Sequence, residues 1–312
     1  MPTPTPPENA LDPPADLRRV LVAGEALIDV IRLGGTTREH PGGSPANVAL
    51  GLARLGVATS FLTALGRDTR CDTIGARLGE AGVTLLPESW SLPTTSTAAA
   101  TIGADGSACY EFDISWQLPR RIGLPPLHHL HVGSISAFLS PGADRIEQLA
   151  SELHGEVTIS FDPNIRAGLV GDRAEALARF ERLAKLADIV KLSDEDALFL
   201  YPDLSVDEAA RAIAAGGALV AATRGSAGSL LAVADTTVEI EPITVQVVDT
   251  VGAGDSYMAA LLAWLLKTGM EAVRDGSRAE LASAGGFAAR AAAITVSRAG
   301  AEPPTSAEVG GR

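Results

Sequence analysis

Residues 249–256 of this 312-residue chain read Asp-Thr-Val-Gly-Ala-Gly-Asp-Ser, a set of types suited to phosphate chemistry with a base built in. The first turn of a helix leaves backbone N–H groups unpaired and carries the positive end of the helix dipole. A glycine-rich entry lets a phosphoryl group approach that backbone closely, so Gly252, Ala253 and Gly254 are expected to form an anion cradle. An Asp at its mouth would repel a phosphate that merely bound there, but it can take the proton of a hydroxyl attacking phosphorus. Asp255 is assigned that role. Two blander readings compete. A Gly-Asp pair before a helix is commonly only a turn and a cap. Gly252-x-Gly254 also begins like a dinucleotide fingerprint, but Tyr257 stands where a third small residue is needed, and the loop lies in the last quarter of the chain.

Counting lysines removes two nucleotide-site classes. The chain holds three, Lys185, Lys191 and Lys267. None completes a Gly-x-x-x-x-Gly-Lys-Ser/Thr loop or a Val-Ala-Ile-Lys strand, so neither a P-loop enzyme nor a protein kinase is expected. Positive charge for phosphates must then come from Arg, metal ions or helix N-termini. A second glycine-rich stretch, Pro41-Gly42-Gly43-Ser44-Pro45-Ala46-Asn47, opens a helix running to Leu55. Its glycines let a ligand touch the backbone, and Asn47 in the first turn offers donors and an acceptor, which suits a polyol better than an anion. Taken alone, such a stretch is more often an ordinary loop and helix start.

Taken together, Gly42-Gly43-Ser-Pro-Ala-Asn47 and Asp249-Thr-Val-Gly-Ala-Gly-Asp255 resemble the two signatures of the ribokinase-like (PfkB) carbohydrate kinases. Phe161-Asp-Pro-Asn-Ile-Arg166, Lys191-Leu-Ser-Asp-Glu-Asp196, Thr223-Arg-Gly-Ser-Ala-Gly228 and Arg298-Ala-Gly-Ala-Glu-Pro-Pro304 follow in the order expected of that family's bacterial fructokinases. The resemblance implies ATP as phosphoryl donor, Mg2+ as its metal, and a small sugar as acceptor, D-fructose foremost. 2-Keto-3-deoxygluconate, ribose and a nucleoside stay open as acceptors; from another class, so does a kinase-like protein that binds without turnover. It implies that Asp29, Gly42, Gly43 and Asn47 hydrogen-bond the sugar, that Asp255 deprotonates its hydroxyl, and that the N–H groups of Gly252 to Gly254 stabilise the transferring phosphoryl. Arg166 would clamp phosphate, and Lys191, Ser193, Thr223, Gly225 and Gly228 would line the nucleotide. One departure concerns the metal. The family often has Asn-x-x-Glu where Ser193-Asp194-Glu195-Asp196 stands, so either Asp196 organises hydrated magnesium through water or Glu195 takes over. A monovalent cation such as K+, held by backbone carbonyls, would fall near Asp249, Val251, Arg298 and Gly300. A homodimer through lid strands is a further implication, since exposed strand edges invite pairing.

The elements that must position these residues follow from pattern. With 46% hydrophobic and 20% charged residues the chain can bury a full core, and a net charge of -13 disfavours nucleic acid and anionic membranes. Two cysteines, Cys71 and Cys109, give no disulfide framework, which points to a reducing cytoplasm. No apolar run reaches the length of a membrane span. Residues 1–18 read as a disordered Pro-rich leader, 19–306 as an α/β kinase domain, and 307–312 as a tail. Strands are expected at 20–23, 28–33, 60–65, 129–134, 157–162, 188–192, 219–223, 229–234 and 243–248. Helices are expected at 45–55, 73–81, 143–153, 173–186, 206–215, 256–266 and 279–293. Such alternation implies a central, mainly parallel sheet flanked by helices on both faces. Residues 94–118, with an Asp105-Gly106 turn signal, and about 29–41 break the rhythm and are expected to form a small β-lid that excludes water. Trp116 either covers ligand or packs the lid base, and the five histidines show no metal spacing.

Overall fold

The computed structural model describes residues 18–102 and 108–311, so the leader and the Asp105-Gly106 turn lie outside the described residues. The chain opens with β1 (Arg19–Ala23), β2 (Leu27–Leu33), β3 (Thr36–Gly42), α1 (Ser44–Arg54), β4 (Ala58–Leu62), α2 (Thr69–Glu80) and β5 (Thr84–Leu85). Then come β6 (Thr97–Ile102), β7 (Ala108–Asp113), β8 (His129–Gly133), α3 (Gly142–Leu153), β9 (Thr158–Asp162), α4 (Arg173–Leu186), β10 (Ile189–Ser193), α5 (Asp194–Leu200) and α6 (Val206–Ala214). The last part supplies β11 (Leu219–Thr223), β12 (Ser229–Val233), β13 (Thr236–Ile240), α7 (Ala253–Thr268), α8 (Glu271–Arg274), α9 (Arg278–Val296) and α10 (Ser306–Val309).

Nine strands form one sheet in the order β13-β12-β11-β10-β9-β8-β1-β4-β5, parallel except for β12 and β13 at one end. Its two faces carry separate cores. Val22, Phe61 and Leu231 pack with α7 and α9, while Leu21, Leu130 and Phe161 pack with α3, α4 and α6. α7 is buried almost all round, as a helix with apolar residues on every side must be. The ladder pairs Ala23 with Val132, Gly133 with Asp162, and Ser193 with Thr223, so the carboxyl ends of five adjacent strands share one edge. In open α/β sheets ligands bind outside that edge.

A separate four-stranded sheet, β3-β2-β6-β7, is the expected lid. Asp68 ties it to the body. Its carboxylate caps α2 through Cys71 N at 2.9 Å and also accepts from Thr95 N and Thr95 Oγ1, just ahead of β6. Trp116 resolves toward packing: it is buried, and its Nε1 donates to Ser136 O at 2.9 Å.

Three expectations need correction. Residues 243–248 are not a strand. β13 at the sheet edge ends at Ile240, Pro242 removes a ladder donor, and Ile243, Val247 and Val248 stay exposed along the rim, where Val248 N and Asp249 N donate to Val296 O. α2 starts four residues before the expected position, because the cap at Asp68 and not the apolar period sets its origin. The end of the chain is no loose tail, since α10 buries Val309 in the first core.

Candidate active site

The two glycine-rich stretches meet at the rim. Gly252 takes φ 76° as the N-cap of α7, and a Cβ there would sit 2.6 Å from Ala301 Cβ, so both conformation and space require glycine. Asp255 lies in the first turn of α7 and is buried. Its two oxygens are each held by α1: Ser44 Oγ donates to Oδ1 at 2.6 Å, and Asn47 Nδ2 donates to Oδ2 at 2.8 Å. Burial pushes the Asp255 carboxyl up, while these two bonds and the charges of Lys191 and Arg166 pull it down; the net direction is upward. Asn47, read as a sugar ligand, has therefore committed one amide N–H to Asp255.

Gly43, the N-cap of α1, adopts φ 103°, and a Cβ there would meet Glu25 O at 2.6 Å. A side chain at Gly42 would run into the Asp29 carboxylate, so Asp29 faces this loop directly. Burial raises the Asp29 carboxyl, against His40 and Arg166. Arg166 thus acts on both Asp29 and Asp255. It leaves β9 through Asn164, whose φ is 36° and whose Oδ1 accepts from the guanidinium at 2.8 Å.

Beneath the anion loop lies a buried ion pair. Lys191 Nζ donates to Asp162 Oδ2 at 2.8 Å, and both side chains are almost fully enclosed. A Cβ on Gly254 would stand 3.4 Å from Nζ, so only the missing side chain separates the ammonium from the loop. Burial works to lower Lys191, but Asp162, Asp196 and Asp255 outweigh it and hold the ammonium above its usual range. Burial pushes Asp162 up to about 6 against the pull of Lys191, so at neutral pH the pair is ionised. Asp162 Oδ1 is buried without a hydrogen-bond partner among the described residues.

Ser193 is the N-cap of α5, and Asp196 is the third residue of its capping box. Asp196 Oδ2 accepts from Ser193 N and Oγ, and Oδ1 accepts from Ile165 N at 2.7 Å. That carboxylate braces the turn carrying Arg166 and keeps one lone pair, on Oδ1, whereas Glu195 is exposed. Among the described residues no three His, Cys, Asp or Glu side chains cluster as a metal cage. Thr223 ends β11 beside Ser193, while Gly225 and Gly228 take φ 52° and 83° in the following turn. Asp249 uses its carboxylate to accept from Val251 N at 3.0 Å and Gly300 N at 2.9 Å, joining the two segments expected to offer carbonyls to a monovalent cation. Arg298, in contrast, is paired with Glu308. Ser44, Asp162 and Glu25 went unassigned in the sequence, although the first two lie inside motifs that were singled out.

The family pattern described as pfkB family carbohydrate kinase matches residues 17–308, nearly the whole chain. The chain belongs to the pfkB family of carbohydrate kinases, and with it to the sugar kinases that the paired motifs imply. It is 36% identical over 259 residues to a fructokinase of Rhizobium leguminosarum bv. trifolii, covering 79% of each protein. It is similar to the crystal structure of a fructokinase double mutant from Vibrio cholerae O395 in its fructose-, ADP- and potassium-bound form, with TM-score 0.76, 27% identity and coverage of 91% of this chain and 94% of that one. A fructokinase from Xylella fastidiosa with bound ATP gives TM-score 0.79 at 25% identity, covering 93% of this chain and 96% of its own. These neighbours share the central sheet with flanking helices.

Proposed function

We propose that this chain is an ATP-dependent fructokinase, transferring the γ-phosphoryl group to a hydroxyl of D-fructose. The observation that carries the reading is Asp255: a buried carboxylate one residue beyond the Gly252–Gly254 turn, held on both oxygens by the helix that opens with Gly42 and Gly43. In this reading Asp255 accepts the proton of the attacking hydroxyl, and the N–H groups of the loop face the transferring phosphoryl. Asp29, Gly42, Gly43 and the Asn47 oxygen orient the sugar. Arg166 and Lys191 supply the positive charge, with Thr223, Gly225 and Gly228 along the nucleotide. ATP supplies the activated phosphoryl group. Magnesium would be held largely by water and phosphate oxygens, so this chain would need to offer only the exposed Glu195, or Asp196 acting through a water. A potassium ion at the carbonyls of the Asp249–Val251 and Arg298–Gly300 segments fits the tie made by Asp249.

A homodimer through the lid belongs to the same reading. Ile31, Ala100 and Tyr110 pair across the lid and share one face, on which Ile31, Leu33, Tyr110 and Phe112 stay exposed. A cytoplasmic location accords with the free thiols Cys71 and Cys109, and among the described residues no helix is long and apolar enough to cross a membrane.

The test is ADP release from ATP and magnesium with D-fructose, D-ribose, 2-keto-3-deoxygluconate or adenosine as acceptor. Fructose is expected to drive the fastest turnover; a different winner overturns the substrate assignment alone. Asp255→Asn is expected to cut kcat by roughly a thousandfold, within the usual range for losing a general base, while fructose binding by calorimetry persists. Turnover within about tenfold of the parent would remove Asp255 from the role of base.

A further inference from the structure

We propose that Ser44 is a positioning residue for phosphoryl transfer, its hydroxyl fixing the Asp255 carboxylate so that a free lone pair faces the acceptor hydroxyl. The inference rests on Asp255 being the base. Ser44 sits in the first turn of α1, where a serine hydroxyl ordinarily caps its own helix. Here the N-cap is Gly43, no side chain caps the helix, and the Ser44 hydroxyl turns instead to a residue 211 positions away. The 2.6 Å separation lies in the short range of bonds to an ionised oxygen.

The backbone around Ser44 is closely set. Gly43 is pressed against Glu25 O, and Pro45 follows at the second helical position and packs against Gly24. Ser44 is therefore held by a rigid neighbourhood, and it hands that rigidity to a carboxylate on a different helix. Asn47 holds the other oxygen. With both oxygens engaged, the side chain of Asp255 cannot rotate, and each oxygen keeps a lone pair for a proton.

The charge state follows the same contacts. The groups facing Asp255 are Lys191 from β10, Arg166 from the turn after β9 and Asp162 from β9, besides the two donors of α1. The charged groups sit on the sheet and its carboxyl edge, away from position 44, so removing the Ser44 hydroxyl leaves them in place. Burial already favours the neutral acid, and one donor fewer favours it further, so the base would be lost at a higher pH.

The test is the pH dependence of kcat/KM for the sugar at saturating ATP and magnesium. For Ser44→Ala the acid limb is expected to move up by about one unit, with kcat at neutral pH down roughly tenfold and sugar KM within about twofold. Ser44→Thr, which keeps the hydroxyl, is expected to restore the parent profile. A Ser44→Ala enzyme whose melting temperature falls while its acid limb stays in place would reduce Ser44 to a structural contact and overturn the inference. If the alanine variant does not fold, Ser44→Cys carries the same readout, with a smaller upward shift expected from its weaker donor and an unmoved limb again overturning it. Asp255→Asn separates the two claims: full turnover there removes the base, whereas a dead Asp255→Asn beside an unshifted Ser44→Ala removes only the role of Ser44.

Discussion

Lys191 and Asp162 face each other with 3% and 1% of their side chains exposed, so neither charge has water to fall back on. Cutting such a pair on one side typically costs about 3–5 kcal/mol, because the remaining charge is buried alone. Lys191→Met is expected to lower the unfolding free energy by about that much in urea titrations, and Lys191→Met with Asp162→Leu to recover a large part of it. A double variant no more stable than Lys191→Met would show that the charge left alone is not the cause. At this scale the sequence was generous about types and silent about pairing. Asp255, Arg166 and the glycines of both loops stood out because their chemistry is rare in that spacing. Nothing local told that Asp196 would spend both oxygens on a cap and on Ile165, or that Asn47 would turn to Asp255. Those partners are chosen by strands and helices brought together from distant parts of the chain.

The lid shows what an element adds. Its strands alternate, and the inner set, with Ile28, Val30 and Ala99, joins the first core, while the outer set carries Asp29 and then Ile31 and Leu33. One row thus carries a carboxylate near its base, beside the Gly42–Gly43 loop, and presents apolar surface farther out, where Tyr110 and Phe112 stack with centroids 6.2 Å apart. If the lid pairs two chains as proposed, Leu33→Lys is expected to halve the mass seen by light scattering while leaving the melting temperature almost unchanged, since Leu33 is 57% exposed in the single chain. An unchanged mass would exclude this face as the dimer contact. The alternation that marks the lid was readable, as were α1, α4 and the strands of the parallel sheet, because their apolar spacing matches burial. The false strand at 243–248 had the same alternation, but it follows Pro242 and runs toward Val296 instead of along the open edge of β13. α5 was hidden by its three acidic residues, which suit the first turn of a helix but break the apolar period.

Across the whole molecule, buried ionisable groups set how stability responds to pH. Glu25, at the junction of sheet and lid, is fully enclosed. Desolvation pushes its carboxyl from 4.5 up to about 7, against hydrogen bonds from Ser134, its own backbone and Ser136. The folded chain keeps a proton that the unfolded chain has released. The stability this group contributes is therefore complete below pH about 4.5 and lost as pH rises through about 7, a change of roughly 3 kcal/mol. Asp162 and Asp255 are raised as well and act in the same direction, so the comparison must isolate one residue. Glu25→Gln, which cannot ionise, is expected to flatten part of the fall in urea midpoint between about pH 5 and pH 8. A variant that falls as steeply as the parent would mean that Glu25 does not titrate in that window.

The hydroxyl of Ser44 and the carboxylate of Asp255 are 211 positions apart in the chain. Such contacts close late, because a long loop must be ordered before they form. During synthesis the helix carrying Ser44 and Asn47 is finished when most of the sheet is still unmade, and Asp255 arrives only with the last fifth of these 312 residues. A nascent chain can thus hold the Gly42–Asn47 loop and its helix before the carboxylate they grip exists. The proposed chemistry is thus tied to the joining of two helices made far apart in time.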